Sequence, residues 1–215
     1  MNKLYVQYGC GNVSIDGWLN FDSSPTLRIQ KIPVLGRLLR SRLNCVFDNT
    51  IRYGDIIKGL PLKLGSVDGL FCSHVLEHLS YADGLIALKN SFNYLKPGGR
   101  FRIILPDLET YIKTYIQEIS SDSSGIKAMA AVNFNSSTRL GTKKFRTSFK
   151  SRLYEAFRSR HHWMWDNESL SKTLDDHGFI NVKTFQQGEC DDEMFLRPER
   201  EYQFSHSFAL ECTKP

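Results

Sequence analysis

The sequence predicts an α/β fold with a mostly parallel central sheet, and three observations lead to that prediction. Short apolar strand patterns alternate with amphipathic helix patterns along the 215 residues. A glycine turn, Gly9–Gly11, directly follows the first apolar run. Polar residues follow several of the other predicted strands, where open parallel sheets bind their ligands. We therefore expect helices on both faces of the sheet and a ligand site at the carboxyl ends of its central strands.

The first half of the chain contains five predicted strands and one strongly patterned helix. The strands are predicted at 4–7, 18–21, 53–56, 67–72 and 101–105. The helix lies between the last two, and one face carries Leu85, Leu88, Phe92 and Leu95. Ser80 and Asp83 form a capping pair at its start, and Pro97-Gly98-Gly99 is expected to end it. A strand–helix–strand unit of this length predicts a parallel pair with a right-handed crossover.

The second half is predicted to contain two more helices and two more strands. Asp107 is expected to cap a helix with the apolar face Leu108, Tyr111, Ile112, Tyr115, Ile116 and Ile119. Residues 126–160 look irregular and basic, with a helical part near 152–157. A helix at 167–177, ended by Gly178, leads into strands at 180–185 and 207–212, the last antiparallel. We expect one domain, 1–215, with an insertion or lid at about 120–160.

The composition predicts a globular protein of the cytoplasm. Hydrophobic residues make up 41% of the chain, enough for one sizeable core. No apolar run approaches the ~20 residues of a membrane span, and the N-terminus leads into a strand without a signal-peptide pattern. The five cysteines are scattered with no C-x-x-C pair, so we expect reduced thiols.

Positive charge is concentrated in two segments, although the net charge is only +5. Residues 27–43 hold five basic residues and no acid, and residues 139–160 hold eight basic residues and one acid. Such asymmetry predicts an anionic partner, although two ordinary solvent-exposed loops would give the same charge pattern. Residues 27–43 could also form a basic amphipathic helix that touches the inner membrane face.

The spacing between the glycine turn and Asp22 argues against a site for NAD or FAD. Only residues 12–17 separate Gly11 from the strand that begins at Trp18, and the third glycine of the dinucleotide fingerprint is replaced by Ser14. A dinucleotide-binding unit needs a full helix there, with its acid about 20 residues on. The spacing favours a smaller nucleoside ligand without a pyrophosphate.

Six motifs in family order resemble the class I S-adenosylmethionine-dependent methyltransferases of the type 11 or "predicted methyltransferase" group. They are Y-G-C-G-N (8–12), G-W-L-N-F-D (17–22), Y-G-D-I (53–56), S-V-D-G-L-F-C-S-H-V-L-E-H-L (66–79), L-K-P-G-G-R-F-R-I-I-L-P-D-L (95–108) and H-H-W-M-W-D-N-E-S-L (161–170). The resemblance covers nearly the whole chain apart from 23–50 and 120–160. It implies a Rossmann-like fold, the cofactor S-adenosylmethionine and an association with polysaccharide biosynthesis.

The resemblance also implies roles for individual residues. Tyr8, Gly9, Cys10 and Gly11 would pass beneath the methionine and ribose of the cofactor, and Asp22 would accept the ribose hydroxyls. Asp55 and Ile56 would hold the adenine. Ser73 and His74 would line the wall under the sulfonium. Asp22 and Asp55 could instead be caps or turn formers, as carboxylates at strand ends often are.

The histidines offer two chemistries. His74 to His78 spell H-x-x-E-H, a zinc-peptidase pattern. The segment directly follows a strand and has no third ligand in a matching motif, so we expect no metal site. Transfer to a hydroxyl is helped by a general base with a pKa near 7, and His74, His78 and His161 are the candidates.

The sequence thus predicts a methyltransferase that acts on a sugar or glycan hydroxyl, with an anionic acceptor. A nucleic-acid methyltransferase is disfavoured, because the N-P-P-aromatic motif of base methylation is replaced by Cys72-Ser73-His74-Val75. A small-metabolite methyltransferase and a cofactor-binding partner protein without activity remain alternatives.

Overall fold

The structure is a computed structural model that describes residues 3–32, 46–141 and 160–215. Within these residues, seven strands form one mixed sheet in the order β3-β2-β1-β4-β5-β7-β6. They are β1 (Tyr5–Tyr8), β2 (Trp18–Asp22), β3 (Arg52–Tyr53), β4 (Val67–Ser73), β5 (Leu95–Pro106), β6 (Ile180–Phe185) and β7 (Ser207–Thr213). The first five strands are parallel, and β7 pairs antiparallel with both β5 and β6. This confirms the predicted α/β sheet and its antiparallel end.

Five α-helices lie in the described residues. They are α1 (Pro25–Gln30), α2 (Tyr81–Tyr94), α3 (Leu108–Ile119), α4 (Ser124–Ser137) and α5 (Asn167–Asp176). The predicted caps are confirmed: Ser80 accepts from the Asp83 backbone N–H at the start of α2, and Asp107 accepts from two N–H groups of α3. Gly178 has φ +89°, the left-handed conformation that ends a helix.

Residues 126–137 are more regular than the sequence predicts, because they belong to helix α4, which packs against α3. Sequence periodicity misses it because α4 has no continuous apolar stripe, and only Ala130 is buried. The predicted helical part at 152–157 lies outside the described residues.

Two boundaries around β5 also differ from the prediction. Helix α2 ends at Tyr94, and β5 starts at Leu95, so Pro97-Gly98-Gly99 lies within the strand instead of ending the helix. The strand also carries a buried charge, because Arg102 is fully enclosed. Its guanidinium lies 2.6 Å from Glu211 Oε1 on β7 and also pairs with Glu199.

The core occupies both faces of the sheet and leaves the carboxyl ends of β1, β2 and β4 at one edge. All four residues of β1 are buried, and each pairs with residues of β2 on one side and β4 on the other. Segments that follow β1, β2 and β4 are therefore neighbours, as the sequence predicts.

No helix among residues 3–32, 46–141 and 160–215 has both the length and the apolar content for a transmembrane span. Four cysteines, Cys10, Cys72, Cys190 and Cys212, are free thiols. The fifth, Cys45, lies outside the described residues.

Candidate functional site

A cavity of about 360 Å³ opens at the carboxyl ends of β1 and β4. Residues 7–13 form one wall, and Ser73, His74, Glu77 and His78 contribute to another. Arg139 and the segment around Tyr202 complete the lining. The cavity brings together Tyr8, Gly9, Cys10, Gly11, Ser73, His74 and His78 of the predicted site residues.

The glycine turn is constrained by close packing as well as by backbone conformation. Gly9 has φ +65°, and a Cβ there would lie 2.2 Å from Val75 Cγ2. Gly11 also has a positive φ, +55°, but a Cβ there would meet no atom within 4 Å. The absence of a side chain at Gly9 therefore allows the turn to pack directly against Val75.

Asp22 holds the turn from the neighbouring strand. Its Oδ2 accepts a hydrogen bond from the Gly11 N–H at 2.9 Å, and its Oδ1 accepts from the Ser24 N–H at 2.8 Å. A carboxylate has about four lone-pair sites, so these two bonds leave capacity for further donors. Asp22 is 8% exposed and does not itself line the cavity, so in this structure it is a structural acceptor that holds the turn.

Ser73 places a polar atom without a partner beside the cavity. Its Oγ is buried and makes no hydrogen bond with any described residue. Buried hydroxyls without a partner are uncommon, and such an atom in a cavity wall fits a polar ligand. Ser73 Oγ is therefore a candidate contact for a polar ligand in this cavity.

Asp55 and Ile56 do not line the cavity. Asp55 Oδ1 accepts from the backbone N–H groups of Ile57 at 3.0 Å and Lys58 at 3.4 Å, which is the geometry of a turn former. Its Oδ2 lies 3.7 Å from the exposed Lys58 ammonium. Ile56 is part of the hydrophobic core.

His74 occupies a conformation that is uncommon for a non-glycine residue, with φ +54°. Its Nε2 lies 2.9 Å from the Gln203 carbonyl, and its Nδ1 lies 3.2 Å from Glu77 Oε1. Burial alone would lower the pKa of His74, but the Glu77 carboxylate and the Gln203 carbonyl raise it above its ordinary value. Both ring nitrogens of His74 thus face acceptor oxygens, so neither offers a free lone pair to a substrate proton in this geometry.

The segment 160–165 docks on the short 3-10 turn Leu76–His78. The Glu77 carbonyl accepts from the His162 N–H at 2.6 Å, and the Arg160 carbonyl lies 2.8 Å from His78 Nδ1. Trp165 then bridges to the start of α3, where its carbonyl accepts from the Leu108 N–H. These backbone contacts bring the His161 ring to 5.0 Å from the His78 ring.

His161 is buried, and its Nδ1 contacts the Met164 sulfur at 3.3 Å. Burial lowers the pKa of His161 to about 4 despite the opposing effect of the Glu77 carboxylate. The ring is therefore neutral at neutral pH, but its basicity is far from the pKa near 7 that suits a general base. His161 also does not line the cavity, although His78 does.

Two parts of the cavity wall were not found by sequence reasoning. The segment that includes Pro198, Tyr202 and Gln203 lies between the last two strands, and no motif marks it. Arg139, which follows α4, is the described residue of the basic segment 139–160 that lines the cavity. The sequence signal for Arg139 was the positive charge of the segment 139–160. Most of that segment lies outside the described residues, and so does most of the basic segment 27–43.

Comparison with known protein families matches most of the chain to one family. Residues 28–184 match the family model described as a methyltransferase domain. No curated protein matches the sequence.

Solved structures with a similar fold include a possible exported protein from Bordetella parapertussis, with 13% identity and a TM-score of 0.51 over 98% of this chain and 61% of that one. At this identity the likeness concerns the fold. A methyltransferase from Archaeoglobus fulgidus has 15% identity and a TM-score of 0.49 over 99% of this chain and 86% of that one. A possible histamine N-methyltransferase from Thermotoga maritima has 18% identity and a TM-score of 0.48 over 100% of this chain and 83% of that one.

Proposed function

We propose an acceptor for this chain, which belongs to the methyltransferase domain family and is an S-adenosylmethionine-dependent methyltransferase. The proposed reaction is O-methylation of a sugar or glycan intermediate that carries an anionic group. The observation that supports this proposal most is that one cavity joins the glycine turn to a cluster of histidine and glutamate side chains. A hydroxyl acceptor needs such a cluster, because its oxygen must lose a proton on methylation.

S-adenosylmethionine supplies a methyl group on a sulfonium: the acceptor oxygen's lone pair forms the new bond, the electrons of the broken C–S bond stay on sulfur, and the hydroxyl proton leaves to a base. We propose that Asp22 accepts the ribose hydroxyls with the lone pairs that its two backbone bonds leave free. Ser73 Oγ would meet the polar part of the cofactor. For Asp55 we propose contact with the adenine amine through Oδ2, the oxygen that its turn does not use.

We propose that the His74–His78 wall receives the acceptor and that His78 accepts its proton. His78 lines the cavity, and its Nδ1 faces a carbonyl, so Nε2 is the nitrogen with an available lone pair. His74 would donate a hydrogen bond, in keeping with its raised pKa. His161 would position this wall, since it packs against His78 and not against the cavity.

Arg139 supports an anionic acceptor, because this exposed residue lines the cavity and a guanidinium group can bind a carboxylate or phosphate with two parallel hydrogen bonds. We propose that the basic segments 27–43 and 139–160 attract such acceptors, and that the enzyme acts in the cytoplasm, where 27–43 could touch a membrane that carries lipid-linked glycans. Most of both segments lies outside the described residues, so their charge alone supports this step.

The test is a methyl-transfer screen with S-adenosylmethionine that carries a deuterated methyl group. Three acceptor sets are compared: nucleotide sugars, lipid-linked glycans and RNA. We expect the label on a sugar or glycan hydroxyl, as an ether that resists alkaline hydrolysis, and we expect Arg139→Ala to raise KM more than it lowers kcat. Label confined to RNA or to a nitrogen atom, or cofactor binding without transfer to any acceptor, would contradict the proposal.

A further inference from the structure

Three side chains that bind metals in other proteins converge beside the cavity. Glu77, His78 and His161 each offer one ligand atom, and these atoms all lie within 4.8 Å of one another. Glu77 is 1% exposed and His161 is 7% exposed, so two of the three side chains are held in the protein interior. Glu77 and His78 come from the same 3-10 turn, and His161 comes from the segment that docks on it.

Hydrogen bonds orient both imidazoles as metal ligands. The Arg160 carbonyl lies 2.8 Å from His78 Nδ1, and the Met164 sulfur lies 3.3 Å from His161 Nδ1. A carbonyl and a thioether can only accept, so the Nδ1 atom of each ring carries the proton and Nε2 carries the lone pair. Histidines that bind metals show this arrangement, with the second ring nitrogen donating to a backbone carbonyl or another acceptor.

Glu77 presents a buried carboxylate that is poorly satisfied. Neither of its oxygens accepts a hydrogen bond of good geometry from any described residue. Its nearest contacts are His74 Nδ1 at 3.2 Å and His78 Nε2 at 3.8 Å from Oε1. His78 Nδ1 is directed at the Arg160 carbonyl, and its Nε2 lies 3.8 Å from Glu77 Oε1, which is beyond hydrogen-bond distance. A buried carboxylate with contacts this poor is stabilised by a cation beside it.

We propose that Glu77, His78 and His161 form a binding site for a divalent transition-metal ion such as Zn²⁺ or Co²⁺. Two imidazole nitrogens and one carboxylate oxygen suit these ions better than Mg²⁺ or Ca²⁺, which prefer oxygen ligands. A tetrahedral zinc site with bonds of about 2.1 Å holds its ligand atoms about 3.4 Å apart, so the widest pair must close by up to roughly 1.4 Å. Rotation of the partly exposed His78 ring is able to supply much of that movement.

This set differs from the one that the H-x-x-E-H pattern names. In that pattern the two histidines of the motif bind zinc, and the glutamate activates water. Here the Nε2 of His74 lies 2.9 Å from the Gln203 carbonyl, and the residue has left-handed backbone, so it is not one of the three. His161, from a distant part of the sequence, takes its place. The sequence predicts no metal site, because the segment directly follows a strand and no third ligand stands in a matching motif.

Three protein ligands leave a fourth position open, and Glu77 and His78 both line the cavity. A metal ion there would lower the pKa of an acceptor hydroxyl in contact with it, so the proton would leave more easily. This role rests on the proposed function, whereas the binding site itself does not. His78 would then act as a ligand, and the proton would pass to solvent.

The experiment first measures metal binding without any acceptor. The full chain is stripped with a chelator and titrated with Zn²⁺ by calorimetry and with Co²⁺ by visible absorption, and Mg²⁺ serves as the reference ion. The variants Glu77→Gln, His78→Gln and His161→Gln each remove one ligand. His162→Gln is the matched control, since His162 is exposed and only its backbone contacts Glu77. Circular dichroism checks that every variant is folded.

We expect one Zn²⁺ per chain, a Co²⁺ spectrum typical of four-coordinate sites, and Zn²⁺ affinity reduced more than roughly tenfold in each ligand variant but unchanged in His162→Gln. No Zn²⁺ binding by the folded chain, or equal affinity in the ligand and control variants, would overturn the site. Methyl transfer by a stripped chain that binds no metal would overturn the site and leave the proposed function standing. Metal binding by a chain that transfers no methyl group to any acceptor would support the metal site and contradict the proposed function.

Discussion

The substitution Gly9→Ala tests why the glycine turn lies where it does. A Cβ at this position would be 2.2 Å from Val75 Cγ2, whereas ordinary contact begins at 3.4 Å, so the two carbons must separate by about 1.2 Å. Val75 is β-branched and has little freedom to rotate away. The overpacking costs about 1–3 kcal/mol, and the left-handed backbone of an alanine costs about 1–2 kcal/mol more. We expect a total destabilisation of about 2–5 kcal/mol and a weaker affinity for S-adenosylmethionine.

Gly11→Ala is the matched control for this substitution. Gly11 has a similar φ of +55°, but a Cβ there would contact nothing within 4 Å, so we expect only the backbone term of about 1–2 kcal/mol. The assays are urea unfolding for stability and calorimetry for cofactor affinity.

Val75→Ala supplies the second half of a double-mutant cycle. It removes Cγ2 and leaves the Val75 Cβ at 3.4 Å from the new methyl group, which is ordinary contact. We expect Gly9→Ala to be about 1–3 kcal/mol less destabilising when combined with Val75→Ala than alone. Equal destabilisation by the two glycine substitutions, or no coupling with Val75→Ala, would refute the packing argument.

Three other substitutions have expected outcomes. Asp22→Asn loses the charge and one of the two backbone bonds that the carboxylate accepts, so we expect affinity for S-adenosylmethionine to fall about tenfold by calorimetry, and an unchanged affinity would remove Asp22 from the site. Asp55→Asn preserves the turn bonds of Oδ1, so we expect little change in thermal stability but about tenfold weaker cofactor binding, and equal binding would restrict Asp55 to its turn. Arg102→Leu leaves the buried carboxylates of Glu199 and Glu211 without their cation, so we expect a loss of about 3–5 kcal/mol in urea unfolding, against about 0–1 kcal/mol for the partly exposed control Arg100→Leu. Similar losses in the two arginine variants would contradict the buried ion cluster.

The sequence predicts the sheet well because strand and helix signals there are local. Strand β6 was predicted at 180–185 and is found at Ile180–Phe185, and the helix cap at Ser80 is formed as expected. Helix α4 was missed, since its stability does not come from an apolar stripe that a sequence pattern reveals. The burial of Arg102 was missed for a related reason. Its partners are Glu199 and Glu211 on β7, about a hundred residues away in the sequence.

In the candidate site too, residues marked by local motifs were predicted, and residues placed by tertiary contacts were missed. The glycine turn, Asp22 and Ser73 were predicted because short motifs at strand ends mark them, and the sheet brings their segments to one edge. The approach of His161 to Glu77 depends on backbone bonds between 160–163 and 76–78, which no local pattern encodes. The role of Gly9 in packing against Val75 likewise requires the tertiary structure.

A crystal structure with S-adenosylhomocysteine tests the central claim most directly. We expect the ligand in the cavity of about 360 Å³, with its amino-acid part beside Gly9–Gly11 and its ribose hydroxyls within hydrogen-bond distance of Asp22. Density for the ligand elsewhere, such as the open cavity lined by Lys3, Arg100 and Arg197, would contradict it.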